Sequence, residues 1–199
     1  REGNRQGQTM SAAVESAQRH AITAEEYLRM GEAGVFGPEA RLELIEGEIV
    51  EMAPIGSQRA GTVKLLNRLF SRLAGDHAIL SVQDPVLANA RSVPQPDLAL
   101  LRPRADSYTR SHPTGPEVLL VVEVSDTTLA YDLGTKVPLY ARAGIPEAWV
   151  VDLSAREVRV FRDPGPSGYR TVFTLARDGV LAAALLPAVS FPVAELFPE

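Results

Sequence analysis

Apolar residues recur with the spacing of an amphipathic helix in one long segment of the chain, from residue 57 to residue 74. Val63, Leu66 and Phe70 fall on one stripe of that segment, and Gly75 follows it as a natural stop. Ser57 stands at the start, where its hydroxyl can cap the backbone amides. The pattern predicts a long helix with one face on the core.

Two shorter patterns precede that helix. The sequence Thr-Ala-Glu-Glu at 23–26 has the spacing of a capping box and predicts a short helix that reaches Met30. Strand-like runs at 42–45 and 48–52 are separated by Glu46-Gly47, where glycine supplies the positive φ that a two-residue turn needs. An N-terminal helix followed by a β-hairpin is predicted.

Short apolar runs bounded by turn residues dominate the rest of the chain and predict strands. Helical character returns from 129 to 143, where Pro138 allows a bend, and a strand follows at 148–152. A strand, a helix and a strand in this order indicate a crossover unit. The other strands are predicted at 78–82, 86–88, 97–101, 118–125, 156–161 and 169–173.

Length and composition limit the kind of protein. The 199 residues suffice for one well-filled core, and 45% hydrophobic with 23% charged residues is typical of a globular protein. We predict one domain over residues 21–199, preceded by a disordered tail or expression remnant at 1–20. No apolar run approaches the roughly 20 residues of a membrane helix. The absence of cysteine and of a secretory signal favours the cytoplasm.

The charge of the chain argues against one class of nucleic-acid-binding protein. A net charge of −5 disfavours nonspecific coating of nucleic acid, which depends on clustered Lys and Arg. Positive charge is nevertheless clustered locally, since Arg59, Lys64 and Arg68 fall in the long predicted helix. A solvated helix face is the alternative use of these residues.

Two acids stand in apolar strand segments. Asp97 begins one strand, and Glu123 follows five apolar residues in another. Because a buried carboxylate without a partner is costly, both acids indicate a cation or a catalytic site. Side chains alternate along a strand, so Leu119, Val121 and Glu123 are expected on one face, together with Ser125. Carboxylates on adjacent strands can hold Mg²⁺ or Mn²⁺, which prefer oxygen ligands.

The two acids belong to a longer series of sequence motifs that occur in a fixed order along the chain. The chain resembles the PD-(D/E)XK nuclease core, and more closely the Uma2 family of endonucleases, formerly a domain of unknown function. The resemblance covers roughly residues 21–169. It rests on these residues and segments: 23–27, 43–48, 52–54, Pro96-Asp97, Glu123-Val124-Ser125, Tyr131-Asp132, Lys136, Tyr140, 144–146 and 149–152.

The resemblance implies an α/β fold with a restriction-endonuclease-like core, in which helices flank a mixed central sheet. It also implies metal-dependent hydrolysis of DNA, with Mg²⁺ or Mn²⁺ as the cofactor. Asp97 and Glu123 would be the metal-binding acids. The Val124 carbonyl would be a further ligand, and Glu43 in the hairpin would be an additional or supporting metal acid.

This chain departs from the family pattern at two positions. The family's lysine stands two residues after the glutamate, where this chain has Ser125. Lys136 in the following helix is the candidate to supply that amine, which orients the attacking water or stabilises charge on the phosphate. Arg59 occupies about the place where relatives often carry a histidine, and it can meet a phosphate but cannot act as a base.

Each assignment has a structural alternative. Asp97 can accept hydrogen bonds from backbone amides at the strand start. Lys136 can form an exposed ion pair with Asp132, four residues before it on one helix. Tyr140 and Trp149 are expected to pack with their polar atoms satisfied rather than to contact nucleotide bases.

The sequence therefore predicts a metal-dependent endodeoxyribonuclease whose catalytic residues are Asp97, Glu123 and Lys136 and whose partner is DNA. The alternative is a catalytically silent nucleic-acid- or protein-binding module that retains the fold. The acidic charge and the missing lysine favour that alternative. Apolar stretches at 180–189 and 191–197 cover the core or form a homo-oligomer contact.

Overall fold

A six-stranded mixed sheet forms the centre of the structure, a computed structural model that describes residues 19–198. Its strands are Ile79–Val82 (β3), Leu98–Leu101 (β4), Val118–Ser125 (β5), Glu147–Asp152 (β6), Glu157–Gly165 (β7) and Gly168–Leu175 (β8). They lie in the order β3-β4-β5-β6-β7-β8, and neighbours are antiparallel except β5 and β6, which are parallel. The predicted crossover unit is confirmed. Most of the predicted tail, residues 1–18, lies outside the described residues.

Two helices precede the centre of the sheet. Helix α1 spans Ala24–Glu32 and begins with the predicted capping box at Thr23. Helix α2 spans Ser57–Ala74 and stops, as predicted, at Gly75, whose φ is 50°. Gly56, not Ser57, holds the N-cap position, and no side chain caps the helix. The predicted cap is wrong because Ser57 is already the first helical residue.

The helical segment between β5 and β6 is interrupted by a wide turn. It consists of Leu129–Tyr131 (α3), a π-helical turn at Asp132–Lys136 (π1) and Val137–Arg142 (α4). Pro138 has no N–H, and its ring opposes a regular α-turn, so the irregularity lies where the sequence allows a bend. The π-turn carries Asp132 and Lys136, and both are buried. Turns of this kind recur at functional sites.

Helix α2 covers one face of the sheet, and α4 covers the other. Val122 and Val124 of β5 pack on the α2 side, whereas Val121 packs on the α4 side. Leu119 also packs on the α2 side, so the predicted common face of Leu119 and Val121 is wrong. The reason is a register shift between β4 and β5 next to Leu119, which breaks the alternation at the start of β5.

The hairpin that supplies Glu43 is built as predicted. It consists of β1 (Leu42–Ile45) and β2 (Glu48–Glu51). The turn residues Glu46 and Gly47 have φ values of 52° and 87°. The Val93 N–H donates to the Leu44 carbonyl at 2.7 Å, which fixes the hairpin against the segment before β4.

A second hairpin, β9 (Val180–Ala183) and β10 (Leu186–Pro192), closes the α2 side of the core and was not predicted. Val180 and Leu185 remain exposed there, and a homo-oligomer contact stays a prediction. The strand predicted at 86–88 is wrong, because only an isolated bridge joins Leu87 to Thr114. Within residues 19–198, no helix is long and apolar enough to cross a membrane.

Candidate functional site

The carboxyl end of β5 lies beside the amino end of β4, which brings two of the predicted acids to one end of the sheet. The antiparallel register pairs Leu98 with Val122, and Asp97 and Glu123 follow directly beyond that pair. Both acids are 1% exposed. Strand order and register thus bring to one place two carboxyl groups that are distant along the chain.

Lys136 lies between Glu123 and a third predicted acid. Its Nζ is 2.8 Å from Glu123 Oε1 and 3.0 Å from Glu43 Oε1, and its side chain has no exposed surface. The Gln95 carbonyl oxygen, at 3.4 Å, is a further acceptor. Each hydrogen of the ammonium group therefore has a protein oxygen to meet. The exposed ion pair with Asp132 is wrong, since Lys136 is buried and directed at other acids.

Burial and the charge of the ion-pair partner act in opposite directions on the pKa values of Lys136 and Glu123. Burial alone would lower the pKa of Lys136, but the carboxylates of Glu123 and Glu43 raise it above its usual value. Burial raises the pKa of Glu123 to about 8; Lys136 opposes that shift, and Asp132, Asp97 and Glu43 add to it. Lys136 therefore stays charged, and Glu123 can exchange a proton near neutral pH.

Glu43 reaches the cluster from β1. Its Oε1 accepts hydrogen bonds from Lys136 and from the Gln95 main-chain N–H, the latter at 2.9 Å. Its second oxygen, Oε2, is buried and has no hydrogen-bond partner among residues 19–198. The same is true of Glu123 Oε2. Native proteins pair nearly all buried polar atoms, so these two oxygens are acceptors available to a further cation, donor or water.

Asp97, in contrast, uses both of its oxygens. The Arg59 guanidinium donates from Nη2 to Oδ1 at 3.0 Å and to Oδ2 at 2.9 Å, and from Nε to Oδ2 at 3.1 Å. Gln83 Nε2 donates to Oδ1 at 3.2 Å. The Val124 main-chain N–H donates to Oδ2 at 2.8 Å, which fits the predicted alternative of backbone hydrogen bonding. Ligation by the Val124 carbonyl stays a prediction.

Asp132 is the fourth buried acid of the cluster, and its hydrogen-bond partners are hydroxyl groups. Its Oδ2 accepts hydrogen bonds from Ser125 Oγ and Thr128 Oγ1, both at 2.7 Å. Ser125 therefore ties the end of β5 to the π-turn. The amine beside Glu123 comes from Lys136, as the sequence predicts.

Two tyrosines of the helical segment belong to the same cluster. Tyr140 is completely buried and its hydroxyl donates to Glu123 Oε1, so its predicted packing is confirmed. Burial and the Glu123 charge raise the pKa of Tyr140 well above its usual value. The Tyr131 hydroxyl is buried without a hydrogen-bond partner in the described part of the chain. Burial and the Glu43 charge raise the pKa of Tyr131 to about 12.

Sequence reasoning missed the contact of Tyr140 with Glu123. The signal was present, because Tyr140 lies four residues after Lys136 and so shares its helix face. Trp149 also packs as predicted, with its Nε1 donating to Glu147 Oε1 at 2.8 Å.

The residues of the cluster are compatible with a divalent cation in charge and in donor type. Four buried carboxyl groups, those of Glu43, Asp97, Glu123 and Asp132, face the two cations Arg59 and Lys136. The excess negative charge and the two unpaired oxygens match the hard oxygen donors that Mg²⁺ and Mn²⁺ prefer. Within residues 19–198, however, no three acids, histidines or cysteines are grouped to hold a metal ion as they stand.

The chain matches a family model in sequence and a solved structure in fold. It matches the family model Uma2, described as "Putative restriction endonuclease", over residues 24–194. A crystal structure of "a putative nuclease belonging to DUF820" from Anabaena variabilis ATCC 29413 superposes with a TM-score of 0.73 at 14% sequence identity. The match covers 88% of this chain and 97% of the other chain. No curated protein matches. The likeness in fold to that structure confirms the predicted restriction-endonuclease-like α/β core.

Proposed function

This chain belongs to the Uma2 family, and on that basis we propose that it is an endonuclease that hydrolyses DNA phosphodiester bonds with Mg²⁺ or Mn²⁺. The observation that carries the proposal is the pair of buried, unpaired oxygens on Glu43 and Glu123. These two carboxylates converge on one ammonium group, that of Lys136. Native proteins pair nearly all of their buried polar atoms, so two such acceptors beside one ammonium group support a site for a further cation.

The metal-holding residues in this proposal are Glu123 and Glu43 through their unpaired oxygens, with Asp97 and the Val124 carbonyl as further ligands. A bound divalent ion would supply Lewis-acid activation of the phosphodiester and of the attacking water. Asp97 can ligate only if the hydrogen bonds that it accepts from Arg59 are exchanged, since that guanidinium engages both oxygens.

Lys136 contributes a fixed positive charge in this mechanism. Since its pKa lies above the usual value, its amine cannot take a proton from water. It can instead stabilise the negative charge that develops on the phosphate. To reach a substrate oxygen it must give up one acceptor, and the contact with the Gln95 carbonyl is the longest of the three, at 3.4 Å.

Tyr140 orients Glu123. Its hydroxyl and Lys136 Nζ donate to the same oxygen, Oε1, so Oε2 is the oxygen left to bind a cation. A carboxylate held by two donors keeps one orientation, which is the property that a ligand in a catalytic site requires.

A catalytically silent binding module is the second candidate, and the Arg59–Asp97 pair favours it. An internal cation already neutralises one of the predicted metal acids, and both side chains are buried. A chain that uses Arg59 and Lys136 as permanent counter-ions needs no metal ion for stability.

Cleavage assays with supercoiled plasmid and with single-stranded DNA separate the two candidates. We expect nicking in the presence of Mg²⁺ or Mn²⁺, no nicking in EDTA, and loss of nicking in Asp97→Ala. Asp178→Ala, at an exposed acid outside the cluster, is the matched control and should cleave like the unmodified protein. Intact plasmid under every metal condition would contradict the nuclease and support the binding module.

A further inference from the structure

Arg59 forms a bidentate ion pair with Asp97 at the end of the sheet where the other acids converge. We propose that the Arg59 guanidinium and a divalent metal ion compete for Asp97, so that Arg59 sets the metal affinity of the site. This inference rests on the proposed metal-dependent function. It assigns to Arg59 a positioning role: the guanidinium occupies Asp97 until the metal ion displaces it.

The hydrogen bonds of Asp97 support competition. Its two oxygens accept from Arg59, Gln83 and the Val124 N–H, and all of these donors lie within 3.2 Å. Arg59 is the cation among them, and it engages both oxygens. Glu43 and Glu123 differ, because each keeps one oxygen unpaired beside Lys136. A metal ion can therefore approach these two without displacing a cation, but it cannot reach Asp97 without displacing Arg59.

The position of Arg59 allows it to leave. It lies in the first turn of α2, directly after the irregular segment that follows β2. Its side chain is 7% exposed, whereas those of Asp97 and Lys136 are 1% and 0% exposed. Arg59 is thus nearer the surface than the groups it covers. A displaced guanidinium needs a new acceptor, and a phosphate matches its fork of donors as well as a carboxylate does.

Removing the guanidinium has a consequence that a merely structural ion pair would not share. Without Arg59, Asp97 stays buried with no cationic partner, which destabilises the folded chain. If a divalent ion competes for the same carboxylate, the ion will bind the variant more tightly than the unmodified protein. A ligand that binds only the folded state also stabilises it, and at a fixed ligand concentration the stabilisation grows with the logarithm of the affinity. A Mn²⁺-induced rise in melting temperature should therefore be larger in the variant.

The test is Mn²⁺ binding to the full chain, followed by electron paramagnetic resonance of the unbound ion, with melting temperatures in EDTA and in Mn²⁺. We expect Arg59→Gln to bind Mn²⁺ about tenfold more tightly than the unmodified protein. Arg59→Lys keeps the charge but loses the bidentate geometry, so its affinity should lie between the two. Arg68→Gln, on the exposed side of α2, is the matched control and should not change the affinity.

Equal Mn²⁺ affinity in Arg59→Gln and the unmodified protein would overturn this inference alone and leave the proposed nuclease intact. Weaker binding by the variant would also overturn it, because Arg59 would then help to build the site. No Mn²⁺ binding by any of these proteins would overturn both the inference and the proposed metal dependence. If Arg59→Gln does not fold, Arg59→Lys decides: an affinity no higher than that of the unmodified protein contradicts competition.

Discussion

Lys136 Nζ lies 2.8 Å from Glu123 Oε1, and neither side chain is more than 1% exposed. The same ammonium contacts Glu43 Oε1 at 3.0 Å. One cation thus holds two carboxyl groups that belong to different sheets. This relationship supports both the fold and the proposed chemistry, and it can be tested separately for each.

Lys136→Met removes the cation between the two acids. We expect it to lower the free energy of unfolding by about 3–5 kcal/mol, the usual effect of leaving buried charges without their partner. Chemical denaturation measures the change. Lys64→Met, an exposed residue of α2, is the control and should change stability by no more than about 0.5 kcal/mol. Equal stability of both variants would contradict the buried ion pair.

Tyr140→Phe and Tyr131→Phe form a matched pair. Tyr140 donates to the Glu123 carboxyl group, so its loss should destabilise the chain by about 1.5–3 kcal/mol. The Tyr131 hydroxyl has no hydrogen-bond partner in residues 19–198, so its loss should leave the stability equal or higher. Denaturation curves recorded in EDTA compare the two. A larger destabilisation in Tyr131→Phe would show that the roles are reversed.

The raised pKa of Glu123 predicts how stability depends on pH. Below its usual value of 4.5, the carboxyl group is protonated in the folded and in the unfolded chain. Between 4.5 and about 8, only the folded chain holds this proton, so the stability that Glu123 contributes is lost as the pH rises. The free energy of unfolding in EDTA should therefore fall across this range.

Glu123→Gln is the variant that isolates this effect, because an amide of the same shape does not titrate. The groups that act on Glu123 are its hydrogen-bond and ion-pair partners Lys136 and Tyr140, together with the nearby groups Glu43, Asp97, Asp132, Arg59 and Tyr131. They all remain in the variant. We expect the decline in stability from about pH 5 to pH 8 to be much smaller in Glu123→Gln. An unchanged decline would mean that another group is responsible.

Glu43→Gln tests whether the hairpin contributes to the metal site. The substitution removes one of the two unpaired carboxylate oxygens, so the Mn²⁺ affinity should fall by about tenfold or more. Calorimetric titration measures the affinity. Glu48→Gln, an exposed residue of β2, should bind Mn²⁺ like the unmodified protein. If both variants bind equally well, Glu43 serves only as a partner of Lys136.

The sequence predicted those parts of the molecule that depend on local pattern. The capping box at Thr23, the Glu46-Gly47 turn and the stop at Gly75 are all in place. Leu119 was misassigned because a register shift between two strands is not visible in the alternation of one strand. The hairpin β9–β10 was missed because its short apolar run also fits a surface contact or a core cover.

In the candidate site, too, some features could be predicted from sequence pattern and others depend on how the elements pack. Asp97, Glu123 and Lys136 could be identified from their place in an ordered series of motifs. The ion pair between Arg59 and Asp97 could not be predicted, because it depends on how α2 packs against the sheet. The contact of Tyr140 with Glu123 was missed, although the four-residue spacing from Lys136 already placed both side chains on one helix face.

The most direct test of the central claim is metal-dependent plasmid cleavage by the unmodified protein and by Glu123→Gln. The proposed nuclease predicts Mn²⁺-dependent nicking that EDTA abolishes and that the variant slows by about a hundredfold or more. Glu25→Gln, a surface residue of α1, should cleave at the unmodified rate. Equal cleavage by Glu123→Gln, or no cleavage by the unmodified protein with Mg²⁺ or Mn²⁺, would contradict the claim.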